Sequence, residues 1–283
     1  MNERAPNERH WAGFAVSQQT SLRRKRLMRT MLNTVVDYQL IEENDHIMVA
    51  ISGGKDSYTL LDLLLSAQAR APFSFKVTAV HVDQVQPGYD GKPLENWLME
   101  HNIDHEIIRE DTYSVVKEKT KPGGTYCSLC SRMRRGVLYK VASRIKANKI
   151  ALGHHRDDAI ETLLLNLIYA GKLQAMPPKY RTDDGQFFVI RPLIEVAERD
   201  IISYAKQKEF PILPCNLCGS QEGLKRKRMK ELLDSLEQEK SDVRSVMLHA
   251  IKNVKASHLL DPRYLDGEKI FDERASKRLK VIG

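Results

Sequence analysis

The chain has 283 residues, enough to bury one substantial core and carry a smaller appended region. Its 45 Lys and Arg exceed its 37 Asp and Glu, and the formal charge of +8 favours a polyanionic partner without separating RNA from DNA or anionic lipid. No run nears the roughly 18 consecutive apolar residues of a membrane span, and the polar N-terminus lacks the apolar segment of a secretion signal, so a cytoplasmic protein without membrane contact is expected.

Residues 1–20 are polar and mixed, a lead-in that carries no evident chemistry. Over 22–40 the pattern turns helical: Leu27, Met31, Leu32, Val35, Val36 and Tyr38 make an apolar face, while Arg23, Arg24, Lys25, Arg26 and Arg29 crowd the start. Positive charge at a helix N-terminus opposes the dipole, so the cluster reads either as an RNA contact or as a solvated basic face.

An apolar strand at 47–51 then breaks into Ser52-Gly53-Gly54-Lys55-Asp56-Ser57 and a helix at 57–69. Paired glycines reach backbone angles closed to other residues, so successive N–H groups converge on an oxyanion, and the positive end of the helix points at the same spot. Ser52, Lys55 and Ser57 add donors. Asp56 would repel phosphate unless it holds Mg²⁺ or caps the helix. The string makes a nucleotide-phosphate cradle, and it is not the Walker pattern, whose four-residue spacer and terminal Gly-Lys-Ser/Thr are missing.

Strand signals recur at 76–82, 106–109, 149–152 and 187–190, with helical patterns at 92–102, 132–146 and 159–170. Alternation at this spacing predicts an α/β fold, a doubly wound and mostly parallel sheet whose ligands sit beyond the carboxyl ends of the strands. Asp83, at the end of its strand, either contacts a ribose or starts a turn before Pro87-Gly88, and the turn is the preferred reading. Residues 176–179 and 183–185 read as an excursion and turn before the last strand. Helices at 195–208, 224–236 and 243–254 form an appended region, so the chain divides into a basic lead-in and helix (1–40), a nucleotide domain (41–194) and a helical C-terminal region (195–283).

At a second strand-to-helix junction stands Gly153-His154-His155-Arg156-Asp157-Asp158, the expected rim of the nucleotide pocket. Asp157 and Asp158 bind Mg²⁺ or cap the helix, Arg156 suits phosphate, and the histidines act as acid and base or as hydrogen-bonded core groups. The four cysteines fall in two pairs, Cys127-Ser-Leu-Cys130 and Cys215-Asn-Leu-Cys218, which suit zinc or an iron–sulfur cluster equally. Two further basic groups follow them, Arg132, Arg134 and Arg135 after the first pair and Lys225 to Arg228 after the second, each suited to phosphate or RNA backbone.

The Ser52–Ser57 string resembles the PP-loop of the ATP pyrophosphatase superfamily, whose adenine nucleotide alpha hydrolase-like members cut ATP between the α- and β-phosphates. Taken in order with Cys-Ser-Leu-Cys-Ser-Arg, Gly-His-His-Arg-Asp-Asp and Pro-Cys-Asn-Leu-Cys-Gly-Ser-Gln, it makes residues 22–260 closely similar to the tRNA 2-thiocytidine synthetases, the tRNA-cytidine(32) 2-sulfurtransferases. The resemblance implies ATP as co-substrate, Mg²⁺, an oxygen-sensitive [4Fe-4S] cluster, a homodimer, a sulfur donor such as a cysteine desulfurase, and thiolation of cytidine 32 in the tRNA anticodon loop. Carried onto this sequence it makes Ser52, Gly53, Gly54, Lys55, Asp56 and Ser57 the ATP loop, Lys55, Asp56 and Asp157 the catalytic residues, and Cys127, Cys130 and Cys218 the cluster ligands. Cys215 is then spare. Two other readings compete: a PP-loop thiolase acting on a tRNA uridine, and a non-catalytic, zinc-stabilised RNA-binding protein.

Overall fold

The computed structural model describes residues 18–119, 126–213, 221–261 and 263. Among these, six strands form one sheet: β1 (His46–Ala50), β2 (Lys76–Asp83), β3 (His105–Arg109), β4 (Lys149–Ala151), β5 (Lys179–Arg181) and β6 (Phe188–Ile190). Their spatial order is β3-β2-β1-β4-β6-β5, parallel throughout except for β5, which runs antiparallel to β6. The helices are α1 (Gln18–Asp37), α2 (Lys55–Gln68), α3 (Lys92–Glu100), α4 (Thr112–Lys119), α5 (Tyr126–Arg144), α6 (Arg156–Leu165), α7 (Glu198–Lys208), α8 (Gln221–Glu239) and α9 (Val243–Lys252). Among the described residues, no helix is long and apolar enough to cross a membrane.

The central strand is apolar on both faces because both faces are covered. Ile47 and Val49 pack with Leu60 and Leu64 of α2, Leu27 and Met31 of α1, and Ile201 and Tyr204 of α7. Met48 points the other way, into a second core with Val80, Ile150, Val189 and the α5 residues Val137, Leu138 and Val141. Helices on both faces of a mainly parallel sheet make the doubly wound architecture that the βα alternation predicts. A smaller third core, Ile160 and Leu164 with Met229 and Leu233, docks α8 onto α6.

Some elements differ from the sequence reading. α1 and α7, assigned to flanking regions, share the first core, and a buried carboxylate holds them there. Asp62 of α2 accepts from Tyr204 Oη at 2.5 Å and pairs with Lys208 Nζ at 3.1 Å, with Arg24 Nε at 3.9 Å. One member of the N-terminal basic cluster, Arg24, is thereby engaged with the buried carboxylate, while Arg26 pairs at the surface with Asp200 of α7 at 3.6 Å. α5 begins at Tyr126 rather than 132, so the first cysteine pair opens a helix. α4 and β5 were not anticipated, and the helix expected over 159–170 starts at Arg156 and finishes in a single π turn, Asn166–Ala170.

The topology places the site. From β1 the chain builds outward to β2 and β3, then returns to lay β4 on the opposite side of β1. The carboxyl ends of β1 and β4 thus flank the switch point, where open α/β sheets leave a crevice.

Candidate active site

The segment after β1 is closed by its own hydroxyls. The Ser52 N–H donates to Ser57 Oγ at 3.1 Å, the Gly54 N–H to Ser52 Oγ at 3.3 Å, and Ser57 Oγ donates to the Gly54 carbonyl at 2.9 Å. Gly53 sits at φ +81°, and a Cβ there would lie 2.8 Å from Leu213 Cδ1, whose own N–H donates to the Gly53 carbonyl at 3.0 Å. Only glycine fits that position. Gly54 is the N-cap of α2 and no side chain caps the helix, so Asp56 does not serve as a cap and the positive end of α2 faces the loop.

Lys55 Nζ lies 3.2 Å from Asp56 Oδ2 and 3.1 Å from Glu198 Oε1 at the start of α7. Burial lowers the lysine's affinity for its proton, but Asp56 and Glu198 outweigh it and hold the ammonium above its ordinary value. Asp56 is raised, by burial first, against the pull of Lys55 and His155. Its Oδ1 is buried without a hydrogen-bond partner, and His155 Nε2 stands 3.7 Å away.

The rim after β4 meets this loop directly. A Cβ on Gly153 would lie 3.0 Å from the Asp56 carbonyl carbon and 3.1 Å from the Ser57 nitrogen, so the missing side chain lets the two turns touch. His155 is the N-cap of α6 in a reciprocal capping box: its Nδ1 accepts from the Asp158 N–H and its own N–H donates to Asp158 Oδ2 at 3.0 Å. Burial, with Arg191 beside it, pushes His154 down to about 4, and its Nδ1 accepts from Arg191 Nε at 3.2 Å. The Nδ1 atoms of both histidines are thus taken up as hydrogen-bond acceptors within the rim.

Asp157 has a place different from the one the sequence reading gave it. Its Oδ1 pairs with Arg244 Nη1 at 3.0 Å and Arg156 Nη2 at 3.3 Å, while Oδ2 accepts the Glu198 N–H at 2.8 Å. Burial raises the carboxyl, but these donors win and hold it below its ordinary value. With both oxygens engaged, it ties α6 to α7 and α9. Arg156, expected to face phosphate, is spent on the same carboxylate.

Cys130 is buried, and its thiol donates to Gln84 Oε1 at 3.1 Å. Gln84 follows β2, so the thiol lies over the same carboxyl edge of the sheet as Ser52, whose strand is the immediate neighbour of β2. His81 joins the two strand ends, its Nδ1 donating to the Ile51 carbonyl at 2.8 Å and its Nε2 accepting from Tyr89 Oη at 2.6 Å. Asp83 takes the turn role, accepting the Val85 N–H at 2.8 Å. The backbone of Cys127 lies in the first turn of α5; its side chain, and Cys215 and Cys218 altogether, fall outside the described residues.

A hydroxyl-closed glycine turn thus stands at the topological switch point, met by a glycine-histidine rim with a cysteine on the same edge. Residues 22–213 match the PP-loop domain family. The tRNA-cytidine(32) 2-sulfurtransferase of Tolumonas auensis is 52% identical over 246 residues, 87% of this chain and 82% of its own. That of Azotobacter vinelandii is also 52% identical, over 91% of this chain and 95% of its own. The chain belongs to the tRNA-cytidine(32) 2-sulfurtransferase family. Among solved structures, the U34-tRNA thiolase NcsA from Methanococcus maripaludis, with its [4Fe-4S] cluster, aligns with a TM-score of 0.66 at 21% identity, over 84% of this chain and 81% of that one. That likeness concerns the fold.

In this family member the donor sets fit the groups the sequence implies. The buried, unpartnered Asp56 Oδ1 beside a phosphate cradle suits Mg²⁺, which takes one or two carboxylates together with phosphate oxygens. A buried thiol at the strand edge, in a helix whose first turn carries Cys127, suits a thiolate-held cluster. Sequence reasoning missed Glu198, which joins Lys55 to Lys230 Nζ at 2.9 Å, and Glu161, which lies 3.9 Å from Arg226 Nη1. Glu198 comes from a helix remote in sequence, and Glu161, though on α6, meets a partner on the remote α8; neither carries a motif. Arg226 itself, read as a phosphate or RNA contact, pairs with Asp158 at 3.0 Å.

Proposed function

We propose that the chain is an ATP-dependent tRNA sulfurtransferase that converts cytidine 32 of the anticodon loop to 2-thiocytidine through an O-adenylated intermediate. The observation that carries this reading is the position of Cys130 on the same sheet edge as the Ser52–Ser57 loop, one strand away. The loop N–H groups, the N-terminus of α2 and Lys55 would cradle the triphosphate. The cytidine C2 oxygen attacks the α-phosphorus, pyrophosphate leaves, and a sulfur nucleophile then adds at C2 and expels AMP.

Lys55 is held by Glu198 at 3.1 Å until phosphate takes its place, a preorganised charge for the oxygen developing on the leaving pyrophosphate. Mg²⁺ on Asp56 and the phosphates would withdraw further charge in that step. A [4Fe-4S] cluster on Cys127, Cys130 and Cys218 would leave one iron open to exogenous sulfide. In this account Asp157 is an anchor for α7 and α9 rather than a catalytic group. Cytoplasmic placement, a homodimer and a desulfurase-type sulfur donor belong to the same proposal.

Anaerobic reconstitution of two variants tests it. Lys55→Ala should retain the iron–sulfur absorbance and lose tRNA-dependent pyrophosphate release by about 100-fold or more. Cys130→Ala should lose the absorbance and all 2-thiocytidine. Loss of both properties in Lys55→Ala would refute separate roles, and 2-thiouridine as the product would transfer the chemistry to a different base.

A further inference from the structure

The surface beyond the C-terminal end of α6 is built unlike the rest of the rim. After Leu165 the helix widens into the π turn Asn166–Ala170, and the chain leaves it through Gly171 at φ +60°. Asn166 locks the exit: its carbonyl accepts the Lys172 N–H at 3.0 Å, and its Nδ2 donates to the Gln174 carbonyl at 2.8 Å. What this ordered turn displays is apolar. Leu167, Ile168, Tyr169 and Leu173 are 51%, 51%, 46% and 60% exposed. Four large apolar side chains in seven residues cost hydration that a surface with no partner does not need to bear. Single π turns inside α-helices concentrate at functional sites.

Charge says what kind of partner fits. Lys225 Nζ of α8 stands 4.8 Å from the Tyr169 ring centroid, so an ammonium and an aromatic face are presented together, with Lys172 also exposed beside them. An apolar protein partner has no use for that pairing, and a duplex hides its base faces. Unpaired RNA bases stack on aromatic rings while their phosphates meet lysine and arginine.

We infer that the π turn, with Tyr169 as its platform and Lys225 as its phosphate contact, binds an unpaired nucleotide of a single-stranded RNA loop. The inference rests on the thiolase reading and adds to it where the loop is held. α6 is 10 residues long, about 15 Å, and the turn follows its far end from the His155–Asp158 rim, so the platform is assigned a loop nucleotide other than the modified base.

The test measures fluorescence anisotropy of the full chain with a synthetic anticodon stem–loop and with a blunt duplex of the same stem. Tyr169→Ala should bind the stem–loop about ten-fold more weakly and the duplex as the wild type does, while Tyr169→Phe keeps wild-type affinity. Lys225→Gln should shorten the slope of log affinity against log salt by about 0.7, and Tyr169→Ala should leave that slope unchanged. Circular dichroism of the exposed-site variants should match the wild type. Unaltered stem–loop binding by Tyr169→Ala would overturn the platform, as would a dimer that falls to monomer in sedimentation when Tyr169 is removed, which would make the patch an interface between copies. A wild-type protein that binds neither RNA would instead sink the thiolase reading, and the platform with it.

Discussion

Burial pushes the Glu161 carboxyl up to about 7, against the pull of Arg226. A carboxyl held above its unfolded value binds its proton more tightly in the folded state. Its stabilising contribution is therefore complete below the ordinary 4.5 and is lost as pH rises through about 7. Glu161→Gln keeps the shape and cannot ionise, so near pH 8 it should be more stable than the wild type by on the order of 2 kcal/mol, and near pH 4 the two should coincide. Thermal denaturation across that range checks it; parallel profiles would contradict the assignment. Glu198 has the opposite sign. Burial raises it, but Lys230 and Lys55 overcome that and hold it at about 2, so its pairs persist through the neutral range and fail only in strong acid. Neither glutamate was legible in the sequence, because each acts through partners brought in from separate helices. Ser52 to Ser57 and Gly153 to Asp158 were legible because backbone geometry and chemistry coincide in one short run. The pairing of Asp157 was not legible for a related reason: an acidic residue beside a phosphate turn reads the same whether or not it pairs, as here, with Arg244.

The two turns at the ends of β1 and β4 work as one element because Gly153 lets them touch. Gly153→Ala would set a methyl group 3.0 Å from backbone of Asp56, and backbone cannot yield as a flexible side chain would. The first turn of α2 must shift, and misplacement on that scale costs about 100-fold in rate where reacting atoms need alignment. The expected outcome is loss of tRNA-dependent AMP formation of that size with the far-ultraviolet circular dichroism of the wild type; full activity would show that the contact does not set the loop. The central strands and helices were readable from continuous apolar runs and helical periodicity. β5 was not, since Lys179, Tyr180 and Arg181 are too few to show alternation and become a strand only by pairing with β6. The early start of α5 was hidden because Cys-Ser-Leu-Cys reads equally as a metal-binding turn. The π turn cannot be told from α-helix by side-chain spacing over five residues.

Across the whole molecule, the sheet brings together what the chain keeps apart. Asp62 fastens α1, α2 and α7 into one core, and Asp157 with Arg244, and Asp158 with Arg226, fasten the C-terminal helices to the rim. These ties set α8 beside the nucleotide crevice, immediately after the segment that carries Cys215 and Cys218 in sequence. The central claim is that one bound cytidine is activated by the PP-loop and receives sulfur on the same sheet edge. Its most direct test is a single anaerobic turnover on tRNA whose target cytidine carries ¹⁸O at C2. If that oxygen attacks the α-phosphorus, the label must leave in AMP, in step with the 2-thiocytidine formed. Unlabelled AMP, or label released to water while 2-thiocytidine accumulates, would contradict the account.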